Sequence, residues 1–136
     1  MMKHSIENRY VGELRTSSTH IKSGKNIITD APVDNNGRGE AFAPTDLVSS
    51  ALCSCITTVM GICAEKGKFI MPNSKARITK VMSTNPRKIS EIIIEINFQK
   101  NSLTDIQKRK LMFVGKNCPV AKSLNSDIKQ TLVFNF

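Results

Sequence analysis

The sequence has no tryptophan, one tyrosine and two histidines, and nowhere places two cysteines in a Cys-X-X-Cys spacing. Each shortage closes off a function. So few aromatic rings leave little on which bases could stack, so a nucleic-acid face would rest on charge alone. With no Cys-X-X-Cys, and with His4 and His20 both near the start of the chain, a zinc site lacks its usual ligand spacing, and no metal or other cofactor is expected. No apolar run reaches the roughly 18 residues of a membrane span; the longest, around Ala51 to Ala64, is broken by Ser, Thr and Gly. The opening MMKHSIENRY carries no apolar leader or cleavage site. The expectation is a cytoplasmic protein, independent of membranes, whose thiols are reduced at rest.

What remains is 136 residues, 40% of them hydrophobic, enough for a single domain over 1–136 with a small core that a partner subunit could enlarge. The formal net charge is +9, but the basic residues are scattered. The densest run, Lys108-Arg109-Lys110, falls in a helical pattern and reads as a solvated helix face, so nucleic-acid binding is not expected.

Along the chain, YVGEL, TSSTHI and NIIT are short β-like runs between Tyr10 and Thr29, with Ser23-Gly24 as the second turn of an antiparallel meander. Residues 32–40 are polar and glycine-rich, a loop. A helix is expected from Pro44 to about Lys66, with Pro44 in its first turn, Asp46 favouring the positive end of its dipole and Gly67 as its stop. Val48, Leu52, Cys55, Val59 and Ile62 form one stripe, which Leu47, Ala51, Met60 and Cys63 widen until little polar face is left. Such a helix is buried on most sides, in a core or at a subunit interface.

Ala76 to Ser83 and Glu91 to Phe98 read as a hairpin with Ile92, Ile94, Ile96 and Phe98 on its buried face. A second helix follows, capped by Ser102 or Thr104, with Leu103, Ile106, Leu111 and Val114 as its apolar positions and Gly115 near its end. Pro119 starts a short helix to about Leu124, and TLVFNF closes as a strand. The class is α+β.

Four cysteines stand in different settings. Cys118, directly before Pro119, is placed to cap the short helix, where unpaired N–H groups are expected to stabilise a thiolate. Cys55 lies about three turns into the long helix and needs a neighbouring cation or hydrogen-bond donor to be activated. Cys53 and Cys55 point to different helix faces, a poor geometry for a disulfide. Cys63, two turns beyond Cys55, is expected in the core, as most buried cysteines are.

The segment GEAFAPTDLVSSALCSCITTVMGICAEKGKF, followed by NCPVAKSLNSDI, resembles the OsmC/Ohr family of thiol-dependent peroxidases, most closely its OsmC-like branch. YVGELRTSSTHIKSGKNIITDAPVDNNGRG and NPRKISEIIIEINF extend the match over nearly the whole chain. The resemblance implies an OsmC-like fold, a long central helix on antiparallel sheets, assembled as an intertwined homodimer with active sites at the subunit interface. It implies that Cys55 is the peroxidatic thiol attacking an organic hydroperoxide, that Cys118 resolves the sulfenic acid as a disulfide, and that an external dithiol reductant restores both. An Arg and a Glu assist in family members that favour organic hydroperoxides. Arg15 is the first candidate for the Arg, ahead of Arg9 and Arg38, with a plain surface arginine as the alternative. The Glu expected directly after the proline is Thr45 here, leaving Asp46 one residue on, which also suits a helix start, and Glu40 upstream. The alternative function is an OsmC-like protein that binds a small apolar ligand or senses redox state with little turnover.

Overall fold

Two turns shape the N-terminal strands. Glu13 and Leu14 both adopt positive φ, 51° and 62°, the type I′ geometry whose twist suits a two-residue hairpin. They join β1 (Ile6–Gly12) to β2 (Arg15–His20). Gly24, at φ 71°, lies in the second turn as expected, leading to β3 (Asn26–Asp30), and the three strands form an antiparallel sheet in the order β1-β2-β3. In its register Arg15 stands opposite Asp30. The following loop folds back so closely that a Cβ on Gly37 would lie 1.7 Å from the carbonyl oxygen of Ala31; only glycine fits there.

This computed structural model describes residues 3–136. It divides into two compact units, Met1–Leu47, which holds the meander and its loop, and Val48–Phe136. The long helix α1 spans Pro44–Lys66. Beyond it, β4 (Ser74–Ser83) and β5 (Lys88–Phe98) form the expected hairpin, then come α2 (Asp105–Lys116), α3 (Pro119–Ser123) and β6 (Lys129–Asn135). The two helices between β5 and β6 carry the chain across the sheet, so β6 runs parallel to β5 while β4 is antiparallel to it. The α+β class is as expected.

The core of the second unit is formed by Leu52, Ile56, Met60 and Ala64 of α1 against Ile92, Ile94 and Ile96 of β5 and Leu111 of α2. The alternation of β5 was legible, but the stripe of α1 lies elsewhere than its spacing suggested. It steps by fours from Leu52, whereas Ile62 is 46% exposed and Cys63 only partly buried beside the core.

Thr104, not Ser102, caps α2. Its hydroxyl accepts the Gln107 N–H while Gln107 returns a bond to the Thr104 N–H, a reciprocal pair that satisfies two end donors. Ile106 faces solvent. Gly115 lies near the end of the helix, as expected, and is buried where a Cβ would stand 3.1 Å from Ile56 and 3.4 Å from Met60; it is the close-approach point between α2 and α1.

Candidate functional site

Cys118 is the N-cap of α3, as its place before Pro119 predicts. Its sulfur accepts the Ala121 N–H at 3.4 Å, and the residue is 1% exposed. Cys55, half-buried on α1, presents its thiol within hydrogen-bonding reach of the Cys118 sulfur. All four cysteines are free thiols. The structure thus brings together the two cysteines that the sequence singled out but could not place in contact.

The ionisation of Cys118 departs from expectation. Burial, then the hydrogen bond and charge of Cys55, push its thiol above the ordinary range, and the N–H groups of Ala121 and Val120 only partly offset them. A helix of five residues offers little dipole, so desolvation of the thiolate wins. The protonated form of the Cys118 thiol is therefore favoured. Cys53, one of the buried residues of α1, is likewise pushed up by desolvation.

Arg15 belongs to the first unit, and its guanidinium is held edge-on by one carboxylate. Nε donates to Asp30 Oδ1 at 2.7 Å and Nη2 to Oδ2 at 2.8 Å, the bidentate geometry that arginine alone can offer. Nη2 also reaches Glu40 Oε2 at 3.3 Å, and the Glu40 N–H donates to Asp30 Oδ2 at 3.2 Å. The Asp30 side chain is fully covered, that of Glu40 68% exposed. Hydrogen bonding to Arg15 holds the Asp30 carboxyl below its usual range, against the opposing effect of burial, and the same bond raises the guanidinium. Arg15 is thus a built feature rather than a loose surface side chain. Arg9 pairs with Glu7 and Arg38 with Glu13, both glutamates largely exposed.

Asp46 sits in the first turn of α1, where its carboxylate accepts the Ala43 N–H at 2.8 Å, a capping contact that orders the helix start. Sequence reasoning missed Asp30. Its only signal was register: once the turn between His20 and Asn26 is drawn, Arg15 and Asp30 fall opposite one another.

In the second unit, a groove of about 410 Å³ lies between the segment after α1 and the start of α2, lined by Phe69, Ile70, Pro72, Lys100, Leu103 and Thr104 among others; none of its lining residues is a cysteine. No group of three or more His, Cys, Asp or Glu side chains that could hold a metal ion occurs among the described residues.

A family model described as OsmC-like protein matches residues 37–133. Among solved structures, one labelled an osmotic stress induced and detoxification response protein, from Psychrobacter arcticus 273-4, is 41% identical with a TM-score of 0.93, over 99% of this chain and 98% of that one. An organic hydroperoxide resistance protein from Legionella pneumophila is 13% identical with a TM-score of 0.75 over 100% of both chains. The organic hydroperoxide resistance protein OhrB of Bacillus subtilis is 13% identical with a TM-score of 0.66, over 98% of each. At these lower identities the likeness is one of fold. No curated protein matches the sequence.

Proposed function

Because the chain belongs to the OsmC family, we propose that it is a thiol-dependent peroxidase that reduces organic hydroperoxides, with Cys55 as the attacking thiol and Cys118 as the resolving one. The observation that carries this is the meeting of the two thiols on α1 and at the N-cap of α3, where burial raises the Cys118 thiol.

The Cys55 thiolate attacks the distal oxygen of the hydroperoxide; an S–O bond forms, the O–O bond breaks, and the alkoxide leaves to take a proton and become an alcohol. Cys55 is now a sulfenic acid. The Cys118 sulfur attacks it, forming the disulfide and releasing water made from the sulfenic hydroxyl and the Cys118 proton. A small external dithiol then returns both cysteines to thiols by exchange.

Arg15 is the candidate for the assisting arginine of the family, a guanidinium being able to favour the charge that develops on a leaving oxygen. The protein works as a homodimer in a reducing, cytoplasmic setting, and the apolar side chains left exposed on one chain, Ile62 of α1 among them, favour a second copy as partner.

Disulfide mapping tests the reading. The reduced protein, given one equivalent of tert-butyl hydroperoxide, is expected to form a Cys55–Cys118 bridge and consume the peroxide. Cys55→Ser abolishes both, and Cys118→Ser still consumes one equivalent but stops at the sulfenic acid. If both thiols stay reduced while peroxide persists, the peroxidase reading fails and the small-ligand reading takes its place.

A further inference from the structure

Charge is divided unequally between the two units of the chain. Residues 1–47 hold six Lys and Arg against six Asp and Glu, whereas residues 48–136 hold fourteen against five, so the whole of the +9 belongs to the second unit. The most exposed large apolar side chains of that unit are Ile70, Phe113 and Ile106, at 87%, 69% and 66%. Two of the three lie on α2, among cations.

Ile106 and Phe113 are seven residues apart on this helix, which sets them about 20° apart around its axis and roughly 10 Å apart along it. Arg109 and Lys110 fall between them, one on either side of the line that joins them, and Lys116 follows a turn later. All five are exposed. The opposite side of the helix, with Leu111 and Gly115, is the one packed on α1. Asp105 is the one acid of α2, and Arg109, Lys110 and Lys116 make no ion pair with any described residue. Lys108 differs from them, since its Nζ lies over the Phe136 ring, 5.9 Å from the centroid. The outer face of α2 is therefore an apolar strip with uncompensated positive charge along both margins.

We propose that this face of α2 docks the protein, peripherally and reversibly, on an anionic lipid bilayer. Ile106 and Phe113 enter the boundary between headgroups and acyl chains, while the long Arg109, Lys110 and Lys116 side chains reach lipid phosphates on either side. A protein that lies on a bilayer needs no spanning segment, so the lack of an unbroken apolar run does not oppose this. Charge complementarity selects an anionic surface, and the apolar strip selects lipid among anionic surfaces. A nucleic acid would meet the cations but gain nothing from Ile106, because bases stack on aromatic rings. A second copy laid on the same face by two-fold symmetry would set like charges against one another. The proposal is independent of the peroxidase reading and uses none of its residues.

The experiment is co-sedimentation of the full chain with vesicles of phosphatidylcholine alone and of a two-to-one mixture of phosphatidylcholine and phosphatidylglycerol. Wild type is expected to bind the mixed vesicles at least about tenfold more tightly than the neutral ones, and less tightly as salt rises from about 0.1 M to about 0.5 M. Ile106→Ser with Phe113→Ser is expected to weaken binding to the mixed vesicles about tenfold, and Arg109→Glu with Lys110→Glu by at least as much. Lys22→Glu with Lys25→Glu makes the same change in net charge on exposed positions of the first unit and is expected to cost less than about threefold. Every altered side chain is exposed, and helical circular dichroism confirms that each variant folds; should one pair of changes on α2 unfold the chain, the other pair and the control still decide. No binding to mixed vesicles, equal binding to both kinds, or a control as damaging as the α2 charge reversal would each overturn the proposal. So would wild-type affinity in Ile106→Ser with Phe113→Ser beside a loss on charge reversal, which assigns the face to an acidic protein or a nucleic acid. A fall in oligomeric state on removing the apolar pair, with no vesicle binding by wild type, assigns it to a second copy.

Discussion

Cys118 and Asp30 are both covered ionisable side chains, and their environments act in opposite senses. Burial leads at Cys118 and raises its thiol above the ordinary value of 9.0; a bidentate partner leads at Asp30 and lowers its carboxyl below 3.8. Linkage turns both into stability effects. The raised thiol favours the fold while it is protonated, so that contribution is complete below the unfolded value and is lost as pH climbs past about 9. The lowered carboxyl favours the fold while it is ionised, so its contribution is present above the unfolded value and is lost only as pH falls through the lowered one. Thermal melting between pH 3 and pH 10 is therefore expected to show an alkaline decline that Cys118→Ser flattens, and an acid decline that Asp30→Asn flattens. An unchanged acid limb in Asp30→Asn would argue against the carboxylate's being ionised in its pair. The sequence pointed to Cys118 as a cap and Arg15 as the arginine to watch. It could not show which way Cys118 shifts, because a cap site and a buried site look the same in a string of letters. Nor could it reveal Asp30, since the pairing depends on register and a one-residue slip would turn the side chain to the other face.

Among the helices and strands, period was a good guide where one face is clearly buried and a poor one where nearly every position is apolar. The alternation of β5 located Ile92, Ile94 and Ile96 in the core, whereas α1 offered several plausible stripes and the packed one, Leu52, Ile56, Met60 and Ala64, was chosen by its neighbours. Gly115 is the clearest case. Its place near the end of α2 alone would make it replaceable at the small cost of a C-terminal position. Read as the contact between α2 and α1, it cannot take a branched side chain, because even a Cβ stands 3.1 Å from Ile56. Gly115→Val is expected to lower the unfolding free energy by about 2 kcal/mol through overpacking. Lys110→Ala, on the exposed side of the same helix, should remain within about 0.5 kcal/mol of wild type. Urea titrations of the two variants test this, and a Gly115→Val midpoint equal to that of wild type would mean that the close approach to α1 does not constrain the residue. Leu52→Ala, at a fully buried position, should cost about 3 kcal/mol by the same measurement.

For the molecule as a whole, the question is why a chain with so compact a core leaves apolar side chains in water. Ile62 of α1 is 46% exposed and Ile78 of β4 38% exposed, although Ile78 stands in register with the fully buried Ile94. An isolated apolar residue on a surface needs no explanation; an open flank on the central helix, together with one on the core-facing side of an edge strand, leaves the core unfinished. A second copy would close it without new sequence. The charge of +9 opposes self-association at low salt and is screened at physiological ionic strength, so the dimer is expected to tighten as salt rises rather than dissolve. Sedimentation of wild type and of the Ile62→Lys, Ile78→Lys double variant tests this. Wild type should sediment as a dimer, more firmly at 0.5 M than at 0.05 M salt. The double variant should sediment as a monomer that retains its helical circular dichroism. Peroxide turnover measured on the same samples carries the functional consequence: if the site is completed across the interface, turnover falls in step with dissociation, and a monomeric variant that keeps the wild-type rate would mean that each chain works alone.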